Sequence, residues 1–155
     1  MLQPGDEAPD FTLDGEDGQV RLADFKGKQL VLYFYPKDDT AGCTKEAIAF
    51  SEHLAAFGAA GTAVLGISKD SPQKHEKFRR KHDLTVPLAS DEDGAACEAY
   101  GVWTEKSMYG RTYMGIERST FLIAADGRIA EVWRKVRVPG HAEAVLKAAQ
   151  SRHTA

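Results

Sequence analysis

The chain has 155 residues, with 20 Lys and Arg against 23 Asp and Glu and a formal net charge of -3. A length in the range of roughly 100 to 200 residues suits one domain, expected here over residues 1–155, and 43% hydrophobic with 28% charged residues describes a chain that builds a core rather than a disordered one. Its basic residues are scattered along the chain, which leaves no electrostatic footprint for nucleic acid or an anionic membrane surface.

The predicted elements follow in chain order. Phe11–Leu13 and Val20–Leu22 flank the turn-forming run Asp14–Gly18 and predict an N-terminal hairpin covering one end of a sheet. Lys28 to Tyr35 is aromatic and β-branched at its centre, with no charge from Gln29 onward, the pattern of a strand buried on both faces that Pro36 ends. Helical spacing of Ala47, Ile48, Phe50, Leu54 and Phe57 predicts a helix from Cys43 to Phe57, stopped by Gly58, and Gly61–Ser68 reads as a second buried strand. Ser71-Pro72 is a helix start leading to about His82, with Phe78 facing inward, after which Asp83–Ser90 returns to the sheet.

Asp91 to Tyr100 predicts a short helix closed by Gly101, and Trp103 to Gly115 reads as a Gly- and Tyr-rich loop. Ser119–Ala124 and Arg128–Trp133 form strands joined by a tight turn at Asp126-Gly127, and a helix over His141–Gln150 ends the chain. Strands alternating with helices, then a closing hairpin, argue for an α/β sandwich around a mixed sheet. The longest apolar stretch, Leu30–Tyr35, is far short of the ~20 residues of a membrane span. Met1–Glu7 lacks the basic start and apolar core of a secretory signal, so the cytoplasm is expected.

The chain has two cysteines, Cys43 and Cys97, too few for a disulfide framework, and Cys and His show no metal-ligand spacing; neither metal nor cofactor is expected. Cys43 falls where a helix begins. There the unpaired backbone N–H groups and the positive end of the helix dipole favour thiolate over thiol, and the thiolate is the nucleophile. Glu46, three residues on, reads as a structural carboxylate near the dipole's positive end. The five histidines, His53, His75, His82, His141 and His153, lie in polar stretches without common spacing and read as solvated. Trp103, Tyr109 and Tyr113 have two readings, packing at the sheet edge or lining a pocket mouth.

Pro36, Thr40 and Cys43 spell Pro-x-x-x-Thr-x-x-Cys within Phe34–Glu46, a pattern that resembles the peroxiredoxins, specifically the bacterioferritin-comigratory or Q-type subgroup. Pro4–Leu13, Ser90–Gly94, Ala99–Trp103, Glu105-Lys106, Tyr109-Gly110 and Gly115–Phe121 agree, so the resemblance covers about the whole chain. It implies a thioredoxin-like fold and reduction of hydroperoxides by Cys43 through a sulfenic acid. It further implies that the Thr40 hydroxyl turns toward thiolate and peroxide, that Pro36 shields the sulfur, and that Arg118 reaches the pocket, where its permanent charge and fixed donors favour the thiolate and align the peroxide.

In many relatives a resolving cysteine sits five residues after the peroxidatic one, where this chain has Ile48; in others it lies in the following helix, and Ser71–His82 contains none. Cys97 reads as a small, partly buried helix residue, while a Cys43–Cys97 disulfide stays open if their Cα atoms come within about 7 Å or the chain locally unfolds. The working reading is a monomeric one-Cys enzyme resolved by an external thiol, whether thioredoxin, glutaredoxin or glutathione. The alternative is a peroxide-sensing or thiol-relay protein acting through mixed disulfides of Cys43.

Overall fold

A computed structural model describes residues 1–153, so the last two residues of the expected domain lie outside the described residues. The turn after Gly15 folds the start of the chain into β1 (Thr12–Gly15) and β2 (Gly18–Arg21), followed by a 3-10 turn at Leu22–Phe25. Next come β3 (Gln29–Phe34), α1 (Ala41–Glu52), α2 (Leu54–Ala59), β4 (Thr62–Ser68), α3 (Pro72–His82), β5 (Leu88–Ser90) and α4 (Ala95–Ala99). Then follow β6 (Trp103–Met108), β7 (Arg111–Ile116), β8 (Ser119–Ile123), β9 (Ile129–Trp133) and α5 (His141–His153).

Seven strands make one mixed sheet in the order β2-β1-β5-β4-β3-β8-β9. β3 and β5 run parallel to β4, and the remaining neighbours are antiparallel. All six residues of β3 are buried, and because side chains alternate along a strand they serve two cores. Leu30, Leu32 and Phe34 meet Phe11, Cys97, Tyr100 and Phe121 on one face. Val31, Tyr33 and Tyr35 meet Cys43, Phe50, Phe57, Phe78 and Val145 on the other, under α1, α2, α3 and α5. Burying each of these large apolar side chains stabilises by about 1.5–3 kcal/mol relative to leaving it in water.

The differences from the sequence reading have local causes. The N-terminal hairpin joins the sheet as its edge, β1 pairing with β5 through Asp14 and Ser90, instead of covering one end. The helix expected from Cys43 starts two residues earlier at Ala41, and it breaks at His53, whose ψ of 4° caps α1. Asp83 adopts φ 52° and ends α3, and β5 shrinks to Leu88–Ser90. Gly101 has φ 71°, but α4 itself is only Ala95–Ala99. The segment read as a loop is a β6–β7 hairpin turned by Tyr109 and Gly110, both at positive φ of 53° and 76°. Its strands mix polar and apolar residues on each face, with Trp103, Met114 and Ile116 on one and Met108 and Tyr113 on the other, so they lack the alternation that announces a strand.

Candidate active site

The β3–α1 connection lies at the carboxyl end of a strand whose next neighbour is parallel, where open α/β sheets leave room for a ligand. Its first residue, Tyr35, still bonds to the sheet through its N–H to the Ile67 carbonyl at 3.1 Å. The half-buried Pro36 follows, and Thr40 is the N-cap residue of α1 in extended conformation. Thr44 N–H makes the first helical bond, to the Thr40 carbonyl at 2.9 Å, so the N–H groups of Ala41, Gly42 and Cys43 precede the ladder and the thiol sits within the positive first turn. Cys43 is only 1% exposed.

Arg118 approaches from the short link between β7 and β8. That link is pinned on both sides, by Glu117 N–H to the Val102 carbonyl at 2.8 Å and by Val136 N–H to the Arg118 carbonyl at 3.0 Å. The guanidinium forks: Nη2 donates to Cys43 Sγ at 3.3 Å and Nη1 donates to Glu46 Oε1 at 2.6 Å. A side chain on Gly42 would place its Cβ 3.2 Å from Arg118 Nη2, so glycine leaves the approach open. Desolvation pulls the Arg118 pKa down, but Glu46 and Cys43 outweigh it and hold the guanidinium above its usual range.

Glu46 is the residue whose importance the sequence understated. Three residues after Cys43 it lies on the same helix face, it is 1% exposed, and its Oε2 has no hydrogen-bond partner. Burial pushes its carboxyl up to about 7, against the opposing pull of Arg118. Glu46 therefore orients the guanidinium while its own charge stays marginal near neutrality.

Thr40 and Pro36 lie in the connection that leads from β3 into α1 and Cys43. The exposed Thr40 hydroxyl donates to the Lys37 carbonyl at 2.9 Å, which commits its proton and leaves its oxygen an acceptor. The loop before it is held by α3. His75 Nδ1 lies 2.6 Å from Asp38 Oδ2, and the Tyr35 hydroxyl donates to Asp38 Oδ1. Asp38 N–H donates to Asp70 Oδ2 at 2.8 Å. Asp39, strained at φ 62°, accepts from Lys81 Nζ and meets His82 Nε2, each at 2.7 Å.

Two histidines thus overturn the expectation that all five are solvated. His75 is 2% exposed, held between Asp38 at its Nδ1 and the Ala89 carbonyl 3.1 Å from its Nε2. His141 is 6% exposed, its Nε2 2.8 Å from Thr120 Oγ1. Burial, then the charge of Arg118, lowers its pKa to about 4 and keeps it neutral. Trp103 packs against the core beside α4 with Lys69 over its ring at 4.1 Å, whereas Tyr109 is 97% exposed at the hairpin tip.

Cys97 belongs to the core on the opposite face of the sheet from Cys43. Its N–H donates to Asp91 Oδ2 at 2.8 Å, and burial, then Asp91, pushes its thiol far above the ordinary cysteine range. Among the described residues, no cluster of His, Cys, Asp and Glu is arranged to hold a metal ion, and no helix is long and apolar enough to cross a membrane.

Comparison with known proteins agrees with this geometry. Residues 4–132 match the model of the AhpC/TSA family. The peroxiredoxin Bcp of Bacillus subtilis is 46% identical and that of Escherichia coli 47% identical, each alignment covering 94% of this chain and 94% of the relative. A Xanthomonas campestris bacterioferritin comigratory protein, described for its alkyl peroxide reduction activity, superposes with a TM-score of 0.90 at 44% identity over 97% of this chain and 99% of its own. The peroxiredoxin Q of Xylella fastidiosa, solved as a cysteine-to-serine mutant, gives a TM-score of 0.92 at 41% identity over 98% of each chain. The expected thioredoxin-like sandwich around a mixed sheet is the observed architecture. The chain therefore belongs to the AhpC/TSA family and, within it, to the thiol-dependent peroxidases of the bacterioferritin-comigratory or Q-type peroxiredoxins.

Proposed function

We propose that Cys43 is the peroxidatic residue, reducing hydrogen peroxide and alkyl hydroperoxides through a sulfenic acid that an external thiol then resolves. The observation that carries this reading is the Arg118 guanidinium, 3.3 Å from Cys43 Sγ through Nη2 and anchored to Glu46 through Nη1. A fixed cation beside the sulfur favours the thiolate and presents donors to an arriving peroxide. The thiolate attacks one peroxide oxygen, the O–O bond breaks, and the departing oxygen takes a proton to leave as water or alcohol. Thr40, its proton committed to Lys37, accepts the peroxide O–H; Pro36 limits water at the sulfur; the Cys43 N–H and Arg118 hold the leaving oxygen's charge.

Resolution from outside is supported by what surrounds Cys43. Ile48 and the cysteine-free α3 supply no second thiol, and the central sheet stands between Cys43 and the Asp91-bound Cys97. A one-Cys monomer in a reducing compartment such as the cytoplasm, served by thioredoxin, glutaredoxin or glutathione, fits this arrangement. Electrospray mass after one equivalent of peroxide tests it. A gain of one oxygen, absent in Cys43→Ser, is expected; loss of two hydrogens without added oxygen refutes external resolution.

A further inference from the structure

Thr40 is the N-cap residue of α1, yet its side chain makes no capping hydrogen bond. A threonine at that position ordinarily accepts an N–H of the first helical turn, a bond whose loss costs about 1 kcal/mol. Here the hydroxyl turns back and donates to the Lys37 carbonyl at 2.9 Å. The direction of that carbonyl therefore decides which way the Thr40 oxygen presents its lone pairs. Lys37 C=O and Asp38 N–H belong to one trans peptide group, which is planar and points its two polar ends in opposite directions. Its N–H end donates to Asp70 Oδ2 at 2.8 Å.

Asp70 stands just ahead of α3, and its side chain is 8% exposed. Its Oδ2 also accepts the Ser68 hydroxyl at 2.8 Å, its own N–H returns to Ser68 Oγ at 3.1 Å, and Lys74 Nζ lies 4.0 Å from its Oδ1. Ser68 is fully buried at the end of β4, so the carboxylate is anchored to the sheet and not to the connection it holds. A hydrogen bond to a largely buried carboxylate is stronger than a neutral one, and a peptide polarised at its N–H accepts more strongly at its C=O. The Asp38 side chain is held in turn between the Tyr35 hydroxyl and His75 Nδ1. We infer that Asp70 is a positioning residue for the peroxide reaction: through the Lys37–Asp38 peptide it aims the Thr40 hydroxyl, committing its proton to the Lys37 carbonyl and leaving its oxygen to accept the peroxide O–H. This inference rests on the role given to Thr40 above and deepens it, since Asp70 acts on the reaction only through Thr40.

The test is a double-mutant cycle of Asp70→Ala, Thr40→Val and the two together. Oxidation of Cys43 by hydrogen peroxide, followed by stopped-flow fluorescence, is compared with alkylation of the same thiol by iodoacetamide across pH. Alkylation depends on the thiolate and not on an oxygen that accepts from peroxide. Asp70→Ala is expected to slow oxidation about 10- to 100-fold while alkylation holds within about 2-fold. In the Thr40→Val background the same substitution should cost less than about 2-fold in oxidation. Asp70→Asn keeps the shape and a neutral acceptor for the Asp38 N–H. It should lose about 2- to 5-fold, again only where Thr40 is present, and it carries the cycle if the alanine chain does not fold. An equal loss in both backgrounds overturns the inference, as does alkylation that falls in step with oxidation. A Thr40→Val protein oxidised as fast as the wild type overturns the Thr40 reading itself, a result read without any Asp70 variant.

Discussion

Glu46→Gln in a Cys43→Ser background separates the two forces acting on the buried carboxylate: desolvation, which favours the neutral acid, and the Arg118 ion pair at 2.6 Å, which favours the anion. With the carboxyl raised from 4.5 to about 7, the folded protein binds more protons at Glu46 than the unfolded chain does between those values. Stability from this group is then fullest below the unfolded pKa and is lost as pH rises through the folded one. One pKa unit corresponds to about 1.4 kcal/mol, and evaluating the linkage between pH 5 and pH 8 gives a loss of about 2.5 kcal/mol in the parent that the glutamine variant does not suffer. Replacing the thiol removes a neighbouring ionisation from the comparison. Urea unfolding of both proteins at pH 5, 6, 7 and 8 yields the difference directly. The glutamine variant should gain on its parent by about that amount across the range. A constant difference refutes the shift. A difference of opposite sign means that Arg118 prevails over burial and the carboxyl is held below its ordinary range.

Two further outcomes follow from the same geometry. Gly42→Ala places a methyl 3.2 Å from Arg118 Nη2, so oxidation of Cys43 by peroxide, followed by stopped-flow fluorescence, should slow about 10-fold as one donor is displaced. Thermal stability should hold or rise, since alanine is the better helix former by up to about 1 kcal/mol; an unchanged rate would show that the guanidinium tolerates the methyl in place. His141→Gln bears on acid stability. Because burial lowers the His141 pKa from 6.5 to about 4, the unfolded chain takes up its proton first, and the wild type should lose about 3 kcal/mol relative to the variant as pH falls from above 6.5 to 4. Parallel denaturation curves through that window would contradict a buried neutral imidazole.

Much of the sheet was legible because its signals are local. The uncharged run through β3 and the Ser71-Pro72 cap of α3 each depend on neighbours a few residues away, and each element formed where such signals placed it. The N-terminal turn likewise made a hairpin, although its edge position in the sheet was set by pairing with β5. The β6–β7 hairpin escaped because each of its faces mixes polar and apolar residues and its register is specified by a turn at Tyr109-Gly110 rather than by burial. His75 and His141 escaped for a different reason: each sits in a polar stretch, yet the fold presses it against a core whose other walls come from distant strands.

By itself the sequence determined the local arrangement: Pro36, Thr40 and Cys43 lie in one strand–turn–helix unit, fixed by backbone signals a few residues apart. Only the tertiary structure decided the electrostatics. Arg118 reaches the sulfur because β8 pairs with β3 and brings the end of β7 beside the start of α1. Glu46 acquires its shifted titration because that pairing and its helices exclude water, and Cys97 is separated from Cys43 because a strand buried on both faces divides two cores. Charge, burial and separation are sums over neighbours that are remote in the chain, and no window of sequence contains them.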